Sequence, residues 1–190
     1  MNRRDALSRV ALILGGTIIG AEAFLSGCKN PTTATATGAF TPGNIALLDE
    51  VGETILPATP DSPGAKEAKI GEFMKTIVSD CYEENDQKAF ADGIAKLGEA
   101  SQKKFSKDFM SLTAQQKHDL LVDLDKEAKD YNKTRKEGDP NHYFAMMKQL
   151  TVWGYFTSEP GATKALRYVA VPGRYEGCIP YKKGDKAWAL

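Results

Sequence analysis

Apolar residues recur at helical spacing through most of the chain, and this pattern predicts about five helices. They cover residues 42–56, 66–81, 86–104, 113–131 and 140–157. Thr41-Pro42 and the capping box from Thr113 to Gln116 mark two of the starts, because a threonine hydroxyl there accepts from a backbone N–H of the first turn. No pair of strands is indicated. The chain is therefore predicted to fold as a single small all-α domain.

The fifth predicted helix, 140–157, differs from the others because apolar residues occupy most of its circumference. Asp139-Pro140 is expected to cap its start. A helix that is apolar nearly all round is buried on several sides. Two interpretations are open: it is the central helix of a small bundle, or it is covered by a partner protein.

The segment after Ser158 forms an irregular tail, because proline and glycine interrupt every candidate helix. Aromatic residues are spaced along it: Tyr168, Tyr175, Tyr181 and Trp188. Such a tail cannot fold alone, so it is expected to lie across an apolar surface, either of its own helices or of a partner.

The first 28 residues have a basic start, a short apolar middle and a small-residue cleavage site, as a secretory signal does. The apolar run is shorter than the ~20 residues that a membrane-spanning helix needs. Leu25-Ser26-Gly27-Cys28 looks like a bacterial lipobox, which predicts that Cys28 carries lipid after cleavage. Arg3 and Arg4 indicate export by the twin-arginine route, and a general secretory signal with two incidental arginines is the alternative.

These features divide the chain into a cleaved signal at 1–28, a flexible tether at 29–41 and a helical domain at 42–190. The predicted location is the periplasmic side of a bacterial membrane, with the protein held there as a lipoprotein. Twenty-five basic residues balance 25 acidic ones, so the overall charge does not favour nucleic acid as a partner.

Two cysteines, Cys81 and Cys178, remain beside the lipidated one. In an oxidising compartment they are candidates for a disulfide that clamps the tail to the helices. In the other interpretation, Cys81 is an ordinary small apolar residue on a buried helix face.

Candidate catalytic and cofactor chemistry is hard to find in the sequence. His118 and His142 lack the spacing of metal ligands, and no Cys-x-x-Cys-His motif for haem is present. No acid, base and nucleophile come together in a known arrangement. The chain is therefore predicted to bind no metal or cofactor of its own and not to be an enzyme.

Four blocks in order carry a resemblance to a known family. Leu47–Pro57, followed by Pro63–Ala65, resembles the opening of the gluconate 2-dehydrogenase subunit 3 family. Gly154–Glu159 and Val171–Cys178 resemble the closing blocks of a lipoprotein branch of that family. The resemblance covers most of the chain after the signal and rests on the order and spacing of the blocks.

The resemblance implies a helical small subunit without a cofactor, which pairs with a large FAD-bearing subunit of the glucose-methanol-choline oxidoreductase family. That large subunit oxidises a sugar or sugar acid, and a cytochrome c usually takes the electrons onward. The small subunit would assist folding, joint twin-arginine export and membrane anchoring of the flavoprotein. The lipobox and the C-terminal block depart from the better-known gluconate dehydrogenases, so gluconate is not assumed as the substrate.

The expected contact surface combines the aromatic helix with the tail, because aromatic residues and arginine are enriched in interface cores. The candidate residues are Trp153, Tyr155, Phe156, Arg174 and Tyr175. An alternative function is a stand-alone lipoprotein that binds carbohydrate by stacking sugars on the tail aromatics.

Overall fold

The structure, a computed structural model, describes residues 38–171, 173–174 and 176–189. Its five α-helices in these ranges are α1 (Pro42–Ile55), α2 (Ile70–Cys81), α3 (Glu84–Phe105), α4 (Ala114–Thr134) and α5 (Tyr143–Thr157). A 3-10 turn, Phe109–Ser111, joins α3 to α4, and a π-helical turn, Gly161–Ala165, follows α5. The described ranges contain two isolated β-bridges but no β-strand, which confirms the all-α prediction.

The predicted signal, with Arg3, Arg4 and the lipidation site Cys28, lies outside the described residues, as does most of the predicted tether. The last part of that tether is folded. Phe40 is buried and stacks on Phe90 of α3, with ring centroids 5.9 Å apart. The helical body therefore includes Phe40, ahead of the first helix.

Helix α5 is the centre of the bundle, because it packs against each of the other four helices. Its buried residues are Tyr143, Phe144, Met146, Met147, Leu150, Thr151, Gly154 and Tyr155. The other helices contribute their apolar stripes to the same core, as Leu48, Met74, Leu97 and Leu121 illustrate. The apolar circumference of α5 is thus explained mainly by its own domain.

Two helix starts follow the capping signals in the sequence. Thr41 Oγ1 accepts from Asn44 N at 3.2 Å at the start of α1. At the start of α4, both halves of the capping box form: Thr113 Oγ1 accepts from Gln116 N, and the Gln116 side chain accepts from Thr113 N. Each bond satisfies a first-turn N–H that the helix itself leaves without a partner.

The start of α2 was predicted wrongly, because the helix begins at Ile70 and not at residue 66. Residues 65–69 form successive turns with bonds between residues three apart, and Lys69 has a left-handed backbone with φ of 52°. Asp49, on α1, supplies the missing cap: its Oδ1 accepts from Gly71 N at 2.8 Å. A cap from another helix leaves no signal in the local sequence.

The start of α5 was also predicted wrongly, since the helix begins at Tyr143 with His142 as its N-cap. His142 Nδ1 accepts from Phe144 N at 3.2 Å, and the imidazole, only 8% exposed, stacks on the Tyr143 ring. Asp139, the expected cap, instead accepts from Lys136 N in the preceding loop.

The Cys81–Cys178 disulfide, one of the two interpretations that the sequence left open, is not formed in the structure. Cys81, at the end of α2, and Cys178, in the tail, are both exposed free thiols. The tail is held elsewhere: Arg167 N donates to Ala187 O at 2.7 Å, and Ala189 N donates to Arg167 O at 2.9 Å. These contacts, and not a bond to α2, fix the end of the chain.

Candidate partner interface

Acidic residues on α1 organise the loop that follows it. Glu53 accepts from Ala58 N at 3.0 Å and from Lys66 N at 2.9 Å, so its carboxylate holds both ends of this proline-rich loop. A Cβ at Gly64 would lie 2.1 Å from a Glu53 carboxylate oxygen, so only glycine leaves room for that carboxylate in its present place. The Leu47–Pro57 block and the Pro63–Ala65 block thus form one structural unit.

Glu50 ties this unit to the bundle through two salt bridges. Its carboxylate lies 2.7 Å from Lys117 Nζ on α4 and 2.8 Å from Lys66 Nζ in the loop. The hydrogen bonds from Lys117 and then Lys66 hold the pKa of Glu50 below its usual value. Lys117 is the better buried of the two lysines, so the bridge to α4 is the less screened by solvent.

Tyr155 was predicted to contact a partner, and the structure corrects this. It is 4% exposed, and its hydroxyl donates to Pro63 O. The side chain joins α5 to the loop after α1 and is therefore part of the interior. At helical spacing, adjacent residues point about 100° apart, so neighbours of an exposed aromatic residue are often buried.

The exposed apolar surface of α5 consists of Val152, Trp153 and Phe156, which we call the α5 patch. Phe156 lies four residues after Val152 and three after Trp153, so it neighbours both, and the three side chains cover a helix face about 100° wide. Trp153 is 49% exposed, although α5 is the most buried helix otherwise. The patch is the place where the central helix reaches the surface.

Trp153 in the α5 patch is held in place from beneath. Phe73 on α2 packs edge-on against it, with centroids 5.4 Å apart and an interplanar angle of 82°. Gly154 makes this possible, because a Cβ there would lie 2.5 Å from the Phe73 ring. The patch is therefore a fixed surface and not a loose side chain on a mobile loop.

A groove of about 460 Å³ between α4 and α5 continues the patch. Its lining residues are Asp125, Ala128, Lys129, Asn132, Ala145, Lys148, Gln149, Val152 and Trp153. Asp125 bridges Lys129 at 2.8 Å and Lys148 at 2.6 Å, and these hydrogen bonds lower the pKa of its carboxyl. The groove thus combines an apolar side with a charged edge, as protein interfaces do.

The candidate residues of the tail have a different setting. Arg174 is exposed and pairs with Glu176 at 2.8 Å, while Tyr175 lies outside the described residues. Of the five candidates, Trp153 and Phe156 are brought together on α5. Val152 and the supporting Phe73 were missed as site residues, because helical spacing alone placed both among core positions.

The described part of the chain contains neither a cluster of metal ligands nor a membrane-spanning helix. Within it, no group of three or more His, Cys, Asp or Glu side chains is placed to hold a metal ion. None of its helices is long and apolar enough to cross a membrane. His118 is exposed, with Nδ1 3.7 Å from an Asp119 oxygen, as expected for a solvated histidine.

The chain matches a known protein family over most of its length. The profile described as gluconate 2-dehydrogenase subunit 3 matches residues 42–173, which include all five helices and the α5 patch. The tail beyond Gly173 lies outside the match. No curated protein sequence and no solved structure gives a significant match.

Proposed function

Because the chain belongs to the gluconate 2-dehydrogenase subunit 3 family, we propose that it is the non-catalytic small subunit of an FAD-dependent sugar or sugar-acid dehydrogenase. Family membership makes it an accessory-type subunit of a dehydrogenase complex. In the proposal, FAD and catalysis reside in a large partner of the glucose-methanol-choline oxidoreductase family. A cytochrome c would take the electrons onward.

The α5 patch is the observation that carries the proposal. Three large apolar side chains side by side on a helix are costly to leave in water, and such patches mark interaction sites. Trp is the residue type most often found as an interface hot spot. Since Phe73 and Gly154 already fix the Trp153 ring, little side-chain freedom remains to be lost on binding.

The proposal is tested by capturing the partner with the tagged full-length chain from its native membrane. The wild type is expected to bring down a flavoprotein, recognised by its FAD absorbance. Trp153→Ala/Phe156→Ala should weaken this binding about 30-fold or more, the effect of losing ~2 kcal/mol at a hot spot.

Met110→Ala is the matched control, because Met110 is also 49% exposed but lies on the 3-10 turn, away from α5. It should bind the flavoprotein like the wild type. If the tagged wild-type chain is recovered alone, as a colourless monomer, the proposed function is contradicted. If the double variant binds the flavoprotein as tightly as the wild type does, the α5 patch is not the binding surface.

Export and anchoring form the second part of the proposal. The chain would fold onto its flavin-loaded partner, and Arg3-Arg4 would direct both through the twin-arginine route. Cys28 would then hold the pair on the periplasmic side of the membrane, with residues 29–39 as the tether. Replacing Arg3-Arg4 by Lys-Lys is expected to leave the dehydrogenase activity in the cytoplasm, and unchanged export would count against this route.

A stand-alone carbohydrate-binding lipoprotein is the second candidate, because Tyr168, Tyr181 and Trp188 in the tail are exposed. Exposed rings can stack on sugars without a partner protein. Titration of the isolated chain with mono- and disaccharides, followed by tryptophan fluorescence, separates the two functions. A saturable signal would favour this candidate, and a flat response would favour the subunit role.

A further inference from the structure

A recess opens where the end of α1 meets α4 and the start of α5. Its volume is about 300 Å³, which is at the lower limit of small-molecule sites in proteins. Thr54 and Ile55 contribute the wall from α1, and Phe144 and Lys148 contribute the wall from α5. We call this recess the three-helix cavity. None of the residues of the α5 patch lines it, so it is a separate feature of the surface.

The floor of the three-helix cavity is apolar and lies mostly below the protein surface. It is formed by Ile55, Leu121, Val122 and Phe144. Leu121 and Phe144 are buried, Ile55 is half-buried, and Val122 is exposed at the edge. Because most of this apolar surface lies inside the recess, a ligand must enter the recess to contact it. Such a floor suits the apolar part of a small molecule.

Basic side chains surround the mouth of the cavity. Lys126, Lys129 and Lys148 line it together with one carboxylate, that of Asp125, and three positive charges against one negative charge leave a net charge of +2. Asp125 lies 2.8 Å from the Lys129 amine on α4 and 2.6 Å from the Lys148 amine on α5. Lys126 has a longer contact, 3.5 Å, with Asp123. The mouth therefore keeps an excess of positive charge that an anionic group can neutralise.

The walls of the cavity are tied together by salt bridges. Glu50 on α1 lies 2.7 Å from the amine of Lys117 on α4, and the next residue, His118, lines the cavity. The contact between Lys148 and Asp125 joins α5 to α4 in the same way. The cavity is thus preformed, and a ligand that enters it need not order its walls.

We propose that the three-helix cavity binds a small organic anion with an apolar body, of the type of a medium-chain carboxylate. The apolar body would lie on Leu121 and Phe144, with the anionic group beside Lys126 and Lys129. At ~30 Å³ for each atom-sized unit, the cavity holds roughly ten non-hydrogen atoms, so a whole phospholipid does not fit. The excess of lysines selects an anion over a neutral or cationic molecule of equal length. The apolar floor selects it over a polar sugar acid.

The proposal goes beyond the proposed function and is tested with this chain alone. The full-length chain is titrated by calorimetry with octanoate, octan-1-ol, octylamine and gluconate. Octanoate has about ten non-hydrogen atoms and should saturate the chain below about 1 mM, an affinity within reach of a ligand of that size. Octan-1-ol should bind about tenfold more weakly. Octylamine and gluconate should show no saturable binding over the same range.

Nuclear magnetic resonance of the histidine rings locates the bound probe. The chain has two histidines. His118 lines the cavity, whereas His142 does not line it and caps α5. Octanoate should therefore shift the ring resonances of His118 and leave those of His142 in place.

Two variants test the charges and the floor. Lys126→Gln/Lys129→Gln removes the excess positive charge, and the carboxylates that pair with these lysines each keep another lysine. It should weaken octanoate binding about fivefold or more. Lys103→Gln/Lys133→Gln is the matched control, because both lysines are exposed on helices and do not line the cavity. Val122→Glu places a carboxylate at the edge of the floor and should weaken binding about tenfold or more, while the circular dichroism of every variant stays that of the wild type.

The absence of saturable octanoate binding would overturn the proposal, as would equal binding of octylamine or gluconate. Equal octanoate affinity of the two lysine variants would do the same. If octanoate shifts the indole resonance of Trp153 and not the ring of His118, the ligand occupies the groove beside the α5 patch and the assignment is wrong. Since no arm of the test uses the flavoprotein, these results leave the proposed function to its own capture experiment.

Discussion

Gly93, in the middle of α3, faces Tyr143 at the start of α5, and an alanine there is expected to destabilise the domain. A Cβ at this position would lie 2.2 Å from Tyr143 Cβ and 2.5 Å from its Cγ, whereas ordinary contacts are 3.4–4 Å. Because these atoms lie next to the backbone of a buried residue, they cannot rotate away as the tip of a flexible side chain can. Accommodating the methyl group requires α3 and α5 to move apart.

The magnitude follows from two opposing effects. Overpacking a close-packed core costs about 1–3 kcal/mol, while replacing glycine by alanine inside a helix contributes about 0.5–1 kcal/mol. Gly93→Ala is therefore expected to lower the free energy of unfolding by up to about 2.5 kcal/mol. Gly98 is the matched control, because it lies on the same helix and nothing comes within 4 Å of a Cβ built there. Gly98→Ala should stabilise the domain by about 0.5–1 kcal/mol.

Chemical denaturation followed by helical circular dichroism measures both free energies. The two variants should show opposite shifts of the midpoint with the same denaturant dependence. In a thermal scan, each 1 kcal/mol corresponds to about 2–4 °C for a domain of this size. If both alanines stabilise the protein to the same extent, the close contact between α3 and α5 is not present in solution.

Two further variants test interactions that hold the bundle together. The lowered pKa of Glu50 means that its salt bridges stabilise the fold above its ordinary value of 4.5, and that this contribution is lost as the pH falls through the lowered pKa. Glu50→Gln should therefore lower the denaturation midpoint near pH ~7 and leave it close to that of the wild type near pH ~2. An equal difference between the two midpoints at both pH values would contradict this. His142→Ala should cost about 1 kcal/mol or more through loss of the α5 cap, whereas His142→Asn should retain most of the cap. Equal losses, measured by thermal unfolding, would show that the cap contributes little.

The comparison of sequence and structure is clearest at the helix starts. Thr113 and Gln116 are three residues apart, and both partners of their capping box are visible in the sequence. Asp49 and Gly71 are 22 residues apart, so the cap of α2 becomes visible only when α1 and α2 pack together. His142 was an unexpected cap, because its position beside Tyr131 and Tyr143 depends on how the loop returns to the bundle.

Within α5, too, some features of the candidate interface are visible in the sequence and others depend on tertiary packing. Composition identified α5 as the unusual helix but could not separate Trp153, which is half exposed, from Tyr155, which is buried. Both are large aromatic residues with a polar atom. The difference arises because the Tyr155 hydroxyl reaches Pro63, while Trp153 rests on Phe73 and has no element above it among the described residues.

The sequence by itself determined the fold class, the five helices between residues 42 and 157 and the membership of the family. Periodicity, local caps and the order of sequence blocks are properties of neighbouring positions. The tertiary structure decided which apolar residues remain exposed, where two of the helices begin and how the tail closes on Arg167. Each of these depends on groups that are distant in the chain and meet only when the core forms.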